Sequence, residues 1–178
     1  MKIGIDISQM AYGSTGVARY VENLVNHLVG LDQVNEFVLF YSSLRNDIKD
    51  EILKIKDTNK NVEIKQFKFP PSVLDVLWNR LHVMPIESLI GDVDIFITSD
   101  WTEPPTKRAK KATILYDLIV YKFPDETDKK IIQTQKRKLA WVKKESDVIL
   151  CISESTKKDA MEILGIEENR LKVIYAGF

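Results

Sequence analysis

MKIGIDISQMAYGSTGVARYVENLVNHLVGL, Met1 to Leu31, passes from one hydrophobic period to another within a few residues. Lys2–Asp6, "KIGID", is a short apolar run rich in isoleucine, which reads as a β-strand buried on both faces. After a turn holding Gly13 and Gly16, the apolar residues become Val17, Tyr20, Val21, Leu24, Val25, Leu28 and Leu31. That i, i+3, i+4, i+7 spacing predicts a helix over Gly16–Leu31 with one face against a sheet. Strand, glycine turn, helix is the opening of a βαβ unit.

The same alternation continues to the end of the chain. Strands are predicted at 2–6, 36–42, 61–67, 93–99, 111–117, 146–153 and 170–176, and several are nearly continuous apolar runs. Between them, weaker helical patterns cover Asn46–Lys56, Val73–Ile90, Asp125–Glu145 and Glu154–Leu164. Ser153 is placed to cap the last helix and Gly165 to end it. The pattern predicts an α/β fold: a doubly wound, mainly parallel sheet of about seven strands with helices on both faces. With 178 residues and no repeat, low-complexity tract or linker, residues 1–178 read as a single domain.

Composition narrows the function classes. Lys+Arg and Asp+Glu both number 26, so net charge gives no argument for a nucleic-acid partner. The single cysteine, Cys151, lies in the apolar run "DVILCIS" and excludes a disulfide within the chain, which fits a reducing compartment. No apolar run approaches the ~20 residues of a membrane span, and the N-terminus reads as a strand rather than a secretory signal. A cytoplasmic protein is expected. Lys129, Lys136 and Lys143 recur every seven residues, as do Lys130, Arg137 and Lys144. This basic stripe on one helix is either a solvated face or a dock for the anionic inner face of a membrane.

In open α/β sheets ligands bind beyond the carboxyl ends of the strands. The loops there are Ser8–Gly16, "DWTEPP" from Asp100, the segment after Asp117, and "SES" from Ser153. "GSTG" is neither the dinucleotide fingerprint nor a P-loop. Gly13 and Gly16 permit close backbone approach, and the first N–H groups of the helix at Val17, Ala18 and Arg19 are open to an anion. Arg19 adds a positive charge at the positive end of the helix dipole, which a bound anion would relieve. A plain turn with Arg19 in water explains the same residues. Trp101 offers a face for a sugar, and Asp100 and Glu103 offer carboxylates for hydroxyls; a Trp covering the core is the competing reading. Asp6 is expected to hydrogen-bond the loop that follows it. His27 and His82 have no recognisable partners, and two histidines with one distant cysteine give no metal-site spacing. No G-x-S-x-G elbow is present.

Four ordered segments carry a resemblance. "KIGIDISQM…STGVARYVENLVNHL", "DIFITSDWTEPP", "ATILYDLIVYKFPDE" and "SDVILCISESTKKDAMEILGIEENRLKVIYAGF" together resemble the N-terminal domain of retaining GT-B glycosyltransferases of the group 1, or family 4, type. The resemblance implies a Rossmann-like acceptor-side domain, with a C-terminal donor-binding domain absent from this chain. It implies hexosyl transfer, with mannose a candidate sugar, from a nucleotide-sugar to a glycan or lipid-linked acceptor with retention, in polysaccharide or cell-envelope glycan assembly. The nucleotide-sugar is a co-substrate; no cofactor or metal is implied. Carried onto this sequence, Tyr116 and Asp117 would contact the reacting sugar. Gly13, Gly16, Val17 and Arg19 would bind phosphate or acceptor, with Asp100 and Trp101 nearby and Ser153 and Glu154 in the cleft wall. The family's usual histidine is Tyr116 here, and a phenol of pKa near 10 is no neutral-pH base. Glu154 and Glu162 match the family's Glu-x7-Glu spacing, but within a first-domain segment. Glu154 is expected instead to pair with Lys158 at i, i+4. The 178 residues alone are expected to transfer little sugar. The alternative is a non-catalytic acceptor- or membrane-binding domain working with a separate donor-binding chain.

Overall fold

A computed structural model describes residues 1–13 and 15–175. Seven strands form one sheet: β1 (Lys2–Asp6), β2 (Glu36–Ser42), β3 (Val62–Phe67), β4 (Ile95–Thr98), β5 (Lys110–Leu115), β6 (Val148–Cys151) and β7 (Leu171–Val173). Their order is β3-β2-β1-β4-β5-β6-β7 and every pairing is parallel. The chain winds from β1 one way and then returns past it, so the switch point lies between β1 and β4. A crevice opens there beyond the carboxyl ends of the strands.

Alternate strand residues feed opposite layers. On one face Ile3, Ile5, Phe37 and Leu39 pack with Val21, Val25 and Val29 of α1 (Gly16–Leu31) and Ile52 and Ile55 of α2 (Asp50–Thr58). On the other, Val38, Phe40 and Phe96 meet Leu74, Trp78 and Ile90. Leu115, Ile149, Cys151 and Leu171 meet Leu139 and Val142 of α6 (Lys129–Glu145) and Ala160 and Leu164 of α7 (Glu154–Leu164). Gly4 is required by one such approach: a Cβ there would lie 2.7 Å from the ring of Phe96.

The helices over Gly16–Leu31 and Glu154–Leu164 stand as predicted, the latter capped by Ser153 and ended by Gly165 at φ 63°. Three other expectations are corrected. Val73–Ile90 is not one helix but α3 (Pro71–Leu74), a π-helical stretch Asp75–Arg80, and α4 (Glu87–Ile90). Pro85 explains the break, because it lacks an N–H and disfavours helical backbone at Met84, which takes φ 64°. The helix expected from Asn46 begins at Asp50. The carbonyls of Asn46 and Asp47 instead accept the Tyr41 hydroxyl, and the Asn46 amide donates to Ala11 O. The helix expected from Asp125 begins only at Lys129, because Asp128 caps the N–H groups of Lys130 and Ile131. Just ahead of it lie α5 (Ile119–Lys122) and a 3-10 turn at Pro124–Glu126. The predicted strands 2–6 and 36–42 match, and the described ends of the other five differ by one or two residues, β5 starting one residue early. Ser14 of the glycine loop and Ala176–Phe178 lie outside the described residues.

Candidate functional site

The connection from β4 to β5 has no helix. It runs as an irregular loop over the sheet end, and two buried carboxylates hold it. Glu87 accepts the N–H groups of Lys107, Arg108 and Ala109 at 2.8, 3.0 and 3.2 Å. Glu103 is fully buried, accepts from the hydroxyls of Thr98, Thr113 and Ser146, and sits 3.1 Å from the Lys111 ammonium. Its backbone N–H donates to Asn79 Oδ1 at 3.0 Å. Glu103 is therefore a structural anchor, and the expectation that it binds hydroxyls is corrected.

This anchored loop presents Asp100 and Trp101 to a cavity of about 220 Å³ at the switch-point edge. Val17, Tyr116, Asp117, Gln135 and Lys138 also line it. Five of the ten site residues expected from the sequence thus come together around one space. Tyr116 is held by a hydrogen bond of its hydroxyl with Ser99 Oγ at 3.1 Å and by an edge-on contact with Tyr20, ring centroids 5.6 Å apart. Burial raises its pKa, so it serves as a neutral donor and acceptor, not as a base. Asp117 is exposed and its carboxylate accepts the Ile119 N–H at 3.0 Å.

The residue that sequence reading missed is Lys138. It sits on α6 among residues assigned to a helix face, yet it is 2% exposed and donates to Ser99 O at 2.5 Å. Burial lowers its pKa, against the attraction of Glu103, Asp100 and Asp6. Asp100 is shifted up by burial and held back by Lys138 and by the Gln135 amide, which lies 3.3 Å from Oδ1. Asp6, buried at the end of β1, is also shifted up by burial and accepts the Ser8 N–H at 2.9 Å, as the loop reading expected. Of these charged groups, Asp100 and Lys138 line the cavity, so an acceptor and a donor stand in one space. The one sequence signal of Lys138 was position: it directly precedes core residue Leu139 on the apolar side of α6.

The other predicted residues lie apart from this space. Gly13, at φ 23°, lines a separate cavity of about 130 Å³ with Lys49 and Glu22. Gly16 opens α1 and Arg19 is exposed on its first turn. The reading of three open N–H groups there is corrected, because Ala18 N donates to Thr15 Oγ1 and Arg19 N to Thr15 O. Ser153 caps α7 through Thr156 N, and the Thr156 hydroxyl donates to Tyr116 O, so this pair props the cavity wall from behind. Glu154 is exposed on the first turn of α7. The expected partner of Lys158 is corrected: it lies 3.8 Å from Glu162, not beside Glu154. His82 does have partners, bridging Glu145 at 2.9 Å and Trp78 O at 2.8 Å while stacked on Trp141. Arg137 leaves the basic stripe to bind Asp75 at 3.1 Å. Among the described residues, no group of His, Cys, Asp and Glu has the arrangement of a metal site, and no helix is long and apolar enough to cross a membrane.

The parallel sheet, its switch-point cavity and the ordered motifs define one half of a GT-B glycosyltransferase architecture. The sequence profile of Glycosyltransferase Family 4 matches residues 14–178, and the chain belongs to that family. A comparison with curated proteins gave no match.

Proposed function

We propose that the cavity between Val17, Asp100, Tyr116 and Lys138 receives the acceptor in a hexosyl transfer from a nucleotide-sugar, with retention at the anomeric carbon. The observation that carries this is the convergence of Asp100, Tyr116, Asp117 and Lys138 on one space beyond the carboxyl ends of β4 and β5. Ionised Asp100 accepts a hydrogen bond from an acceptor hydroxyl, Lys138 and Tyr116 donate to others, and Trp101 offers its face to the ring. Tyr116 has no basic function at neutral pH, so the acceptor proton passes to the leaving donor phosphate. Val17 lines the cavity at the opening of α1 and Arg19 is exposed on the same turn; the family resemblance assigns both to that phosphate or the acceptor. The donor itself is held by a second domain outside these residues. Mannose, and assembly of a polysaccharide or cell-envelope glycan, follow from the family resemblance. The exposed lysines of α6 give the domain a means of meeting an anionic membrane surface.

The test is anomeric. With an α-linked nucleotide-hexose as donor, NMR of the product is expected to show the α configuration, and Asp100→Asn to lower kcat/KM for the acceptor at least tenfold. A β product, or an Asp100→Asn enzyme with unchanged acceptor kinetics, contradicts the proposal.

A further inference from the structure

β3 ends one side of the sheet, and its outer edge is bare. Phe37 N donates to Asn61 O and Ser43 N to Phe67 O, so the odd-numbered residues along this strand turn their main-chain groups to β2. In a parallel ladder the alternate residues turn theirs away. Those residues are Val62, Ile64 and Gln66. Val62 N donates to Asn59 O, but no described residue bonds the N–H or C=O of Ile64 or Gln66. Folded proteins commonly block such an edge with a proline, a bulge or unpaired like charges. β3 holds no proline, and its register against β2 runs unbroken over six residues. Its two charges are opposite in sign. Glu63 and Lys65 project from one face as an ion pair, their side chains 48% and 37% exposed.

A second copy of the same strand fits this edge in a single register. Two identical edges meet about a two-fold axis only when the strands run antiparallel, and that symmetry closes the assembly at two copies. An axis centred on Ile64 sets Ile64 opposite Ile64 and Val62 opposite Gln66, so the outward N–H and C=O groups face one another. The same axis sets Glu63 of each copy opposite Lys65 of the other, where unlike charges attract. Centring on Glu63 instead would oppose two carboxylates, and centring on Lys65 would oppose two ammonium groups. The charge pattern therefore selects one register and disfavours both of its neighbours. Lys60 and Lys68, just outside the ladder, would face each other in this register. Both are exposed, and long charged side chains at a surface turn into solvent at little cost.

We infer that the β3 edge is a homodimer interface, on which two copies of the chain pair antiparallel about Ile64 to make one continuous sheet. Main-chain hydrogen bonds at Ile64, and between Gln66 and Val62, supply the attachment, and the Glu63–Lys65 pairs supply the register. The axis stands normal to the sheet, so α1 and α2 of both copies lie on one face while the carboxyl edges point in opposite directions. β4 and β5 lie on the far side of β2 and β1 from this edge, which leaves both cavities open.

Sedimentation velocity of the whole chain over a concentration series tests this. A species of twice the monomer mass is expected to grow with concentration. Glu63→Lys and Lys65→Glu, neither at a buried position, are each expected to weaken association at least tenfold, because like charges then face each other across the axis. An equimolar mixture of the two variants is expected to restore it, since one presents only cations and the other only carboxylates. Gln66→Pro removes an outward N–H and leaves the β2 ladder whole, so association is expected to be lost while circular dichroism shows the fold retained. A chain that stays monomeric up to millimolar concentration overturns the inference. A dimer that persists in both charge variants also overturns it, as does a mixture that associates no better than either variant alone.

Discussion

Lys138 and Asp100 line the same cavity, and their pKa shifts give the proposed acceptor site a pH signature. Asp100 lies above the ordinary aspartate value of 3.8 because it is buried, with Lys138 opposing the shift. Its ionised form is therefore lost as pH falls through a value higher than that of an exposed aspartate. Acceptor binding is expected to show an acid limb there. Lys138 lies below the ordinary lysine value of 10.5, so its charge disappears early on the alkaline side. Lys138→Met removes the cation that restrains Asp100 and is expected to move the acid limb to higher pH. Removing one side of this buried charge cluster costs stability, so the comparison is made at a temperature where circular dichroism shows Lys138→Met folded. An acid limb that stays in place in Lys138→Met contradicts the coupling. Little of this was legible beforehand. Asp100 and Trp101 were visible because they stand in a loop at a strand end, and Tyr116 and Asp117 through the family resemblance. Lys138 was hidden by helical periodicity, which marks apolar positions and says nothing of a lysine turned inward. Glu103 was misread for the converse reason: a loop glutamate beside prolines looks exposed until three hydroxyls and Lys111 are brought to it.

At the scale of elements, the β4–β5 connection carries the heaviest load, since it has no helix of its own and yet positions Asp100 and Trp101. Glu103→Ala would leave Lys111 with Glu145 as its remaining ionic partner and remove the acceptor shared by three buried hydroxyls, which would keep only the bonds they make to one another. A loss of about 3–5 kcal/mol is expected, the usual cost of breaking a buried pair from one side. Urea unfolding measures it, and a loss under 1 kcal/mol would show that the loop is held by something else. Ser153→Ala is milder. It removes the α7 cap at a cost of about 1 kcal/mol and slackens the Thr156 tie to Tyr116 O. A change confined to stability, with acceptor binding unaltered, would show that this prop does not reach the cavity. Strands and the two well-patterned helices were readable from periodicity and caps. The break after Arg80 was not, because the apolar residues of 73–90 satisfy a helical count that the backbone at Pro85 cannot follow.

For the whole molecule, acid stability follows from carboxylates that folding holds ionised. Burial opposes ionisation of Glu87 and Asp75. Three backbone N–H groups outweigh it at Glu87, and Asn79, Arg80 and Arg137 outweigh it at Asp75, so both pKa values lie below the ordinary range. A depressed folded-state pKa contributes stability above the unfolded value and loses it as pH falls through the folded one. Thermal stability is therefore expected to drop as pH falls below the ordinary glutamate value of 4.5, and less so in Glu87→Gln. An identical acid profile in that variant would contradict the assignment. The proposed donor domain is a claim at the same scale. An immunoblot of the native protein near twice 20.5 kDa is expected, and a band at 20.5 kDa would point to a separate donor-binding chain.

The measurement closest to the central claim is a map of backbone amide NMR shifts in the whole chain, titrated with an octyl hexoside below its micelle concentration. The account predicts that shifts cluster at Asp100, Trp101, Tyr116, Asp117, Gln135 and Lys138 and vanish in Asp100→Asn. Shifts centred elsewhere, on the β2–β3 edge or the Gly13–Lys49 cavity, would contradict it.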